Sequence, residues 1–201
     1  PETLQAFTLD DLAQYTREKA FIASSSRDFR LFYVGRDDVH DILKHIISRA
    51  TRSIYLNMFG YDDDELNAIL MEKIRDPHIT VLITLDKSQS GGKHERALLD
   101  ANRAQLADFN SHFVIGQSAT HQISHTKGAV IDGIVGFEGS TNWSASGEGT
   151  FVVQGNAGGP GYKAQNNTLS VFTCADALSR FTSQLIAEHM AAQAATKKTE
   201  N

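Results

Sequence analysis

His125, Lys127, Asp132, Gly139, Ser140 and Asn142 fall within eighteen consecutive positions and hold most of the chemistry legible in this chain. Imidazole is the one good nucleophile among them, and the lysine two positions on supplies a cation. If 125–131 is a strand, its period of two puts His125 and Lys127 on one face and Asp132 on the other, at the turn. A returning hairpin strand brings Ser140 and Asn142, also two apart, to the same neighbourhood. Such a set suits a phosphate: Lys127 neutralises charge, Ser140 and Asn142 donate hydrogen bonds, and His125 attacks phosphorus. Asp132 stays in this candidate catalytic set, although its place before Gly133 is explained by turn formation alone.

The elements that must hold these residues alternate in type. Residues 9–20 read as a short amphipathic helix, 29–34 as a strand, and 37–47 as a helix with acids at its start. A strand at 53–59, a helix at 62–75 and a nearly continuous apolar strand at 78–85 follow, the last as in a buried parallel sheet. The acid run Asp62-Asp63-Asp64 is most simply helix capping, not a metal site. The Gly91-Gly92 loop leads to a helix at 95–106, and strands follow at 112–115, 126–131 and 134–138. Residues 147–161 are glycine-rich and read as a loop or long hairpin, with a short strand at 151–153. A strand at 168–173 and a helix from 176 to about 195 complete the pattern.

This pattern predicts an α/β fold with a mixed, largely parallel central sheet flanked by helices, and no internal repeat. The expected organisation is an N-terminal extension at 1–27, one catalytic domain at 28–195 and a flexible polar tail at 196–201. With 201 residues, 41% hydrophobic and 21% charged, the chain can bury a sizeable core without staples. A formal charge of -5 gives no global basic footprint, although a local positive cleft on an acidic body is compatible with it. Cys174 is the only cysteine, so no intrachain disulfide or cysteine-rich zinc site can form. His121 and His125 are four apart, but in a loop and strand beside Lys127 they make a poor metal site. No apolar run reaches the roughly 20 residues of a membrane span, and no signal-peptide hydrophobic region is present. A soluble chain is expected, its start at Pro1 fits a processed or trimmed form, and its compartment stays open.

The six positions match the signature H-x-K-x4-D-x6-G-S-x-N, and the chain resembles the phospholipase D superfamily. From about Phe29 to the C-terminal helix it is similar to the small single-motif bacterial endonucleases of the Nuc type. The resemblance implies a phospholipase D/nuclease-like fold and a phosphohistidine on the motif histidine. A second histidine would protonate the leaving oxygen and then activate water, with no metal and no other cofactor. None of His40, His45, His78, His94, His112, His121 or His189 has a lysine two positions on. The second His125 is therefore expected from another copy of the chain, across a two-fold axis.

One departure stands out. Where the family often carries a histidine-orienting glutamate, this chain has Gln165-Asn166-Asn167, placing Asn166 at the acid's position. Glu148 and Glu138 are the candidate substitutes, and Gly139 supports the motif turn. The expected activity is hydrolysis of nucleic-acid phosphodiester bonds by a homodimer. The alternatives are a lipid phosphodiesterase acting on phospholipid, and a weakly active nucleic-acid-binding dimer.

Overall fold

A computed structural model describes residues 7–86, 92–94, 96, 97, 100, 111–116 and 125–199, with backbone alone at 111–116 and 196–199. Most of the helix expected at 95–106, together with His121, lies outside the described residues.

A seven-stranded sheet organises the chain. Its strands are β1 (Phe29–Tyr33), β2 (Ser53–Met58), β4 (Thr80–Asp86), β5 (Ser111–Gly116), β6 (Gly128–Ile131), β7 (Val135–Gly139) and β9 (Thr168–Phe172). They lie in the order β1-β9-β7-β6-β2-β4-β5. A separate two-stranded pairing joins β3 (Tyr61–Asp62) to β8 (Trp143–Ser144).

The sheet is mixed, as expected, but its parallel part is the smaller one. Only β2–β4 and β4–β5 pair in parallel, while β1–β9, β9–β7, β7–β6 and β6–β2 are antiparallel. The reason is in the connections. Parallel neighbours need a crossover, which helix α2 (Asp64–Arg75) supplies between β2 and β4. The β-turn centred on Asp132-Gly133, closed by the Ile134 N–H donating to the Ile131 carbonyl, makes β6 and β7 run antiparallel. Both turn residues have positive φ, +55° and +69°, as a primed hairpin turn requires.

Helix α1 (Val39–Ile47) lays Val39, Ile42, Leu43, Ile46 and Ile47 into one core, against Ile54, Leu56, Phe137, Leu169 and Val171. A second cluster joins Val130 and Phe172 to Leu178 and Leu185 of the C-terminal helix α5 (Ala175–Thr199). That helix crosses β4, β5, β2 and β6. It runs past the end expected near 195, so helical backbone continues into the segment read as a polar tail.

Two local expectations are corrected. The N-terminal helix is a 3-10 helix, Leu9–Tyr15, tied by a capping box between Thr8 and Asp11. The segment read as a loop or hairpin with a strand at 151–153 instead begins with two one-turn helices, α3 (Ala145–Glu148) and α4 (Thr150–Val153). Ser144 caps the first by accepting from the Gly147 N–H, and Gly149 at φ +66° ends it and starts the second.

Candidate active site

The β6–β7 hairpin delivers the motif. His125 and Lys127 sit just before β6, which begins at Gly128 and not at 126. The Gly139 N–H donates to the Lys127 carbonyl at 3.2 Å, closing the open end of the hairpin. Ser140 and Asn142 follow directly, so the histidine and the amide reach one place from opposite strands.

Together they line an open cleft of about 660 Å³ with Glu138, Gly139, Gln165, Asn167, Thr168 and Ser170. The His125 ring is exposed on this cleft and meets the Phe59 ring edge to face, with centroids 4.6 Å apart. The Lys127 ammonium donates to the His125 carbonyl at 2.8 Å and lies 5.3 Å from the centre of the same Phe59 ring. Lys127 is only 5% exposed. Burial pushes its pKa below the usual lysine value, while the opposite charge of Glu138 works against that shift. An ammonium has three donors, and among the described residues this one uses a single donor in a hydrogen bond.

Asn142 is fixed through its oxygen. Its Oδ1 accepts from the Gly60 N–H at 3.0 Å, which leaves the NH2 end to donate. A Cβ at Gly60 would lie 2.9 Å from the Asn142 side chain, so glycine permits this approach. The Trp143 N–H donates to the Gly60 carbonyl, and the buried indole packs 5.5 Å from the Tyr61 ring. Trp143 thus sits beneath the motif loop.

The serine behaves differently from the expectation. Ser140 Oγ donates to Asn167 Oδ1 at 3.1 Å and accepts from the Thr168 N–H at 3.0 Å. Its single proton is committed to Asn167, not to the cleft. Asn167 in turn donates to the Gly147 carbonyl at 3.0 Å. Thr168 also crowds Gly139, where its carbonyl leaves no room for a Cβ.

The remaining candidates disperse. Asp132 lies at the far end of β6, five residues from Lys127, or about 17 Å at strand rise. Its carboxylate accepts from the Thr51, Arg52 and Ser53 N–H groups at 2.9, 2.8 and 2.9 Å and from Thr51 Oγ1 at 3.0 Å. It anchors the start of β2 to the hairpin turn. Asn166 is exposed and does not line the cleft, whereas its neighbour Asn167 does.

Glu148 is fully buried and accepts from His40 Nδ1 at 2.8 Å, away from the cleft lining. Burial drives its pKa up to about 8 against the His40 hydrogen bond. For His40, burial alone would lower the pKa; the Glu148 bond and the Glu148 and Asp63 charges outweigh it and raise it to about 9. Of the two glutamates considered from sequence, Glu138 is the one that borders the cleft. Asn167 was hidden from sequence reasoning because its role comes from contacts across β7 and β9, at a separation of 27 residues from Ser140.

Residues 43–151, more than half of the chain, match the family described as "Cardiolipin synthase, PLD-like domain". The chain belongs to this phospholipase D-like family and is a phosphodiesterase of the phospholipase D superfamily. Nuc from Salmonella typhimurium, a phospholipase D family member, has a similar fold with TM-score 0.60 at 15% identity, over 82% of this chain and 95% of that one. NucT from Helicobacter pylori gives 0.59 at 16% identity, over 82% and 98%. A phosphatidylserine synthase from Haemophilus influenzae Rd KW20 gives 0.56 at 16%, over 86% of this chain but 38% of that one. No curated protein sequence matches the chain. Among the described residues no helix is long and apolar enough to cross a membrane.

Proposed function

We propose that the chain is a metal-independent endonuclease that works through a phosphohistidine at His125, in a site completed by a second copy. The observation that carries this is that, among the described residues, His125 is the one histidine lining the cleft. His40 is bonded to Glu148, His45 to Tyr15, His94 is paired with Asp64 and His189 with Thr84. None of these lines the cleft, and a phosphohistidine route needs a second imidazole for the leaving oxygen.

In the first step a His125 ring nitrogen attacks phosphorus, the P–N bond forms and the P–O bond to the leaving oxygen breaks. The partner's His125 gives its proton to that oxygen. In the second step the partner's His125, now neutral, takes a proton from water, whose oxygen attacks phosphorus as the P–N bond breaks. Lys127 and the Asn142 NH2 stabilise the equatorial oxygens throughout. Ser140 and Asn167 hold the cleft's wall in place, and Asp132 acts through the fold.

Nucleic acid is favoured over lipid by format. The chain spans nearly all of Nuc and NucT but little more than a third of the lipid-named synthase. The decisive experiment is plasmid nicking in the presence of chelator, beside head-group release from phosphatidylcholine. Nicking with a covalent phosphohistidine that disappears in His125→Ala is expected.

The lipid reading has one observation of its own. Phe29, Leu31 and Tyr33 are 46%, 41% and 47% exposed and pair with Phe172, Ser170 and Thr168, two of which line the cleft. Head-group release without nicking would replace the nuclease reading with this one.

A further inference from the structure

Away from the cleft lining, three side chains from separate elements converge. His40 comes from α1, Asp63 is the cap residue before α2, and Glu148 ends α3. One nitrogen and two carboxylate oxygens from these residues lie within 4.8 Å of one another. His40 Nδ1 is 2.8 Å from Glu148 Oε2 and 3.5 Å from Asp63 Oδ2.

Hydrogen bonding leaves this set incomplete. One imidazole nitrogen faces two carboxyl groups, which also share a hydrogen bond with each other, and one oxygen is still left over. Glu148 is 0% exposed, and its Oε1 has no hydrogen-bond partner among the described residues. A buried carboxylate oxygen without a donor is costly. Asp63 is half engaged: its Oδ1 accepts from the Leu66 N–H at 2.7 Å, leaving Oδ2 turned to His40.

A divalent cation bound in place of the protons on His40 and Glu148 would satisfy all three groups. The 3.5 Å separation of His40 Nδ1 and Asp63 Oδ2 is close to the ~3.4 Å edge of a tetrahedron with metal bonds of about 2.1 Å, while the 2.8 Å contact of Nδ1 with Glu148 Oε2 is a hydrogen bond that a metal would have to replace and open. The other face of the imidazole fits as well. His40 Nε2 lies 3.4 Å from Glu65 Oε2, which the Lys44 ammonium holds at 2.6 Å. A carboxylate behind a metal-bound histidine is the usual means of fixing its ring and tautomer. The mixed nitrogen and oxygen set favours zinc over magnesium or calcium, which prefer oxygen alone. The positive end of α2 opposes any cation here, and two carboxylates outweigh its half charge. The Asp63 side chain, 12% exposed, marks the way in from solvent.

We propose that His40, Asp63 and Glu148 form a zinc-binding site, distinct from the phosphate cleft, that ties α1 and α2 to the segment behind Asn142. That segment carries Gly147, whose carbonyl holds Asn167. The metal therefore braces the fold behind the cleft without touching substrate or entering the chemistry at His125, so nicking in chelator is expected to persist while the melting midpoint falls. This proposal is independent of whether the cleft cuts nucleic acid.

The test uses the full chain, stripped with chelator, exchanged into buffer and titrated with zinc chloride alone. After gel filtration about one zinc per chain is expected, with a melting midpoint raised by about 5–10 °C at a hundredfold excess over Kd. Glu148→Gln should hold less than about a tenth of that zinc and lose the shift. Asp63→Asn, which keeps the Oδ1 cap, should behave alike and serves if the first variant does not fold. His125→Ala should keep its zinc. Equal zinc in wild type and both variants, no midpoint shift in wild type, or loss of zinc in His125→Ala would each overturn the proposal.

Discussion

Ser140 Oγ donates its proton to Asn167 Oδ1 across 3.1 Å, so the motif serine orients another residue. The consequence is measurable. Asn167→Ala should lower the nicking rate about 10-fold to 100-fold, the scale of a small misplacement at a reacting centre. Asn166→Ala, at an exposed position off the cleft, should stay within about 2-fold, as surface changes do. The reverse ranking would return Asn166 to the site.

Lys127 carries its charge in a nearly closed place. Lys127→Met should cut kcat about 100-fold to 1000-fold, as when a preorganised transition-state donor is lost. Because burial disfavours the ammonium in the folded state, the same change should leave the melting midpoint unchanged or raise it. Scanning calorimetry beside nicking kinetics checks both, and a markedly lowered midpoint would show the lysine to be structural instead.

The pH dependence follows from two requirements. One imidazole must be neutral and its partner protonated, giving a bell-shaped rate profile. Lys127 adds a further loss of activity at higher pH. Its folded pKa lies below 10.5, so it sheds its proton earlier than an ordinary lysine as pH rises. In stability terms its contribution grows toward high pH and is lost as pH falls through the folded value. Between its folded value and the ordinary lysine value, the Lys127 contribution to activity should therefore fall while its contribution to stability rises, and parallel rate and melting series on wild type and Lys127→Met would isolate that term.

Asp132 is expected to matter for stability. Removing a carboxylate that accepts from three backbone N–H groups and one hydroxyl should cost about 2–4 kcal/mol. For a chain of this size that lowers the midpoint by about 4–16 °C. Asp132→Asn tolerates the positive φ and should lose less than Asp132→Ala. Folded Asp132→Asn should keep near-normal turnover per molecule.

If one site uses a histidine from each copy, mixed dimers are inactive. Co-expressing wild type and His125→Ala in equal amounts should leave about a quarter of full activity under random pairing. About half would mean that each chain works alone.

How far these features were readable differs from residue to residue. The hairpin was plain, since Asp132-Gly133 between apolar runs signals its turn and every motif position lies near it. The core face of α1 followed from Val39, Ile42, Leu43, Ile46 and Ile47 at helical spacing. Sheet direction was harder. A buried apolar strand such as β4 looks alike whether its neighbours run with it or against it, and the count of antiparallel pairs depends on where β1 and β9 land. The paired dipeptides Tyr61–Asp62 and Trp143–Ser144 are too short to show any period. The His40–Glu148 contact spans 108 residues, and no local pattern announces it.

The hairpin also explains why the motif keeps fixed numbers. Lys127 and Gly139 are bonded at one end, and Asp132 clamps β2 at the other. The intervals between them are thus a ruler laid along the sheet, measuring the depth from anchored floor to reactive rim. Adding one residue to either arm would turn its side chains to the wrong face. Adding two to each would keep the faces but lift the histidine off its Phe59 support, so the spacing records a length that the surrounding strands have already set.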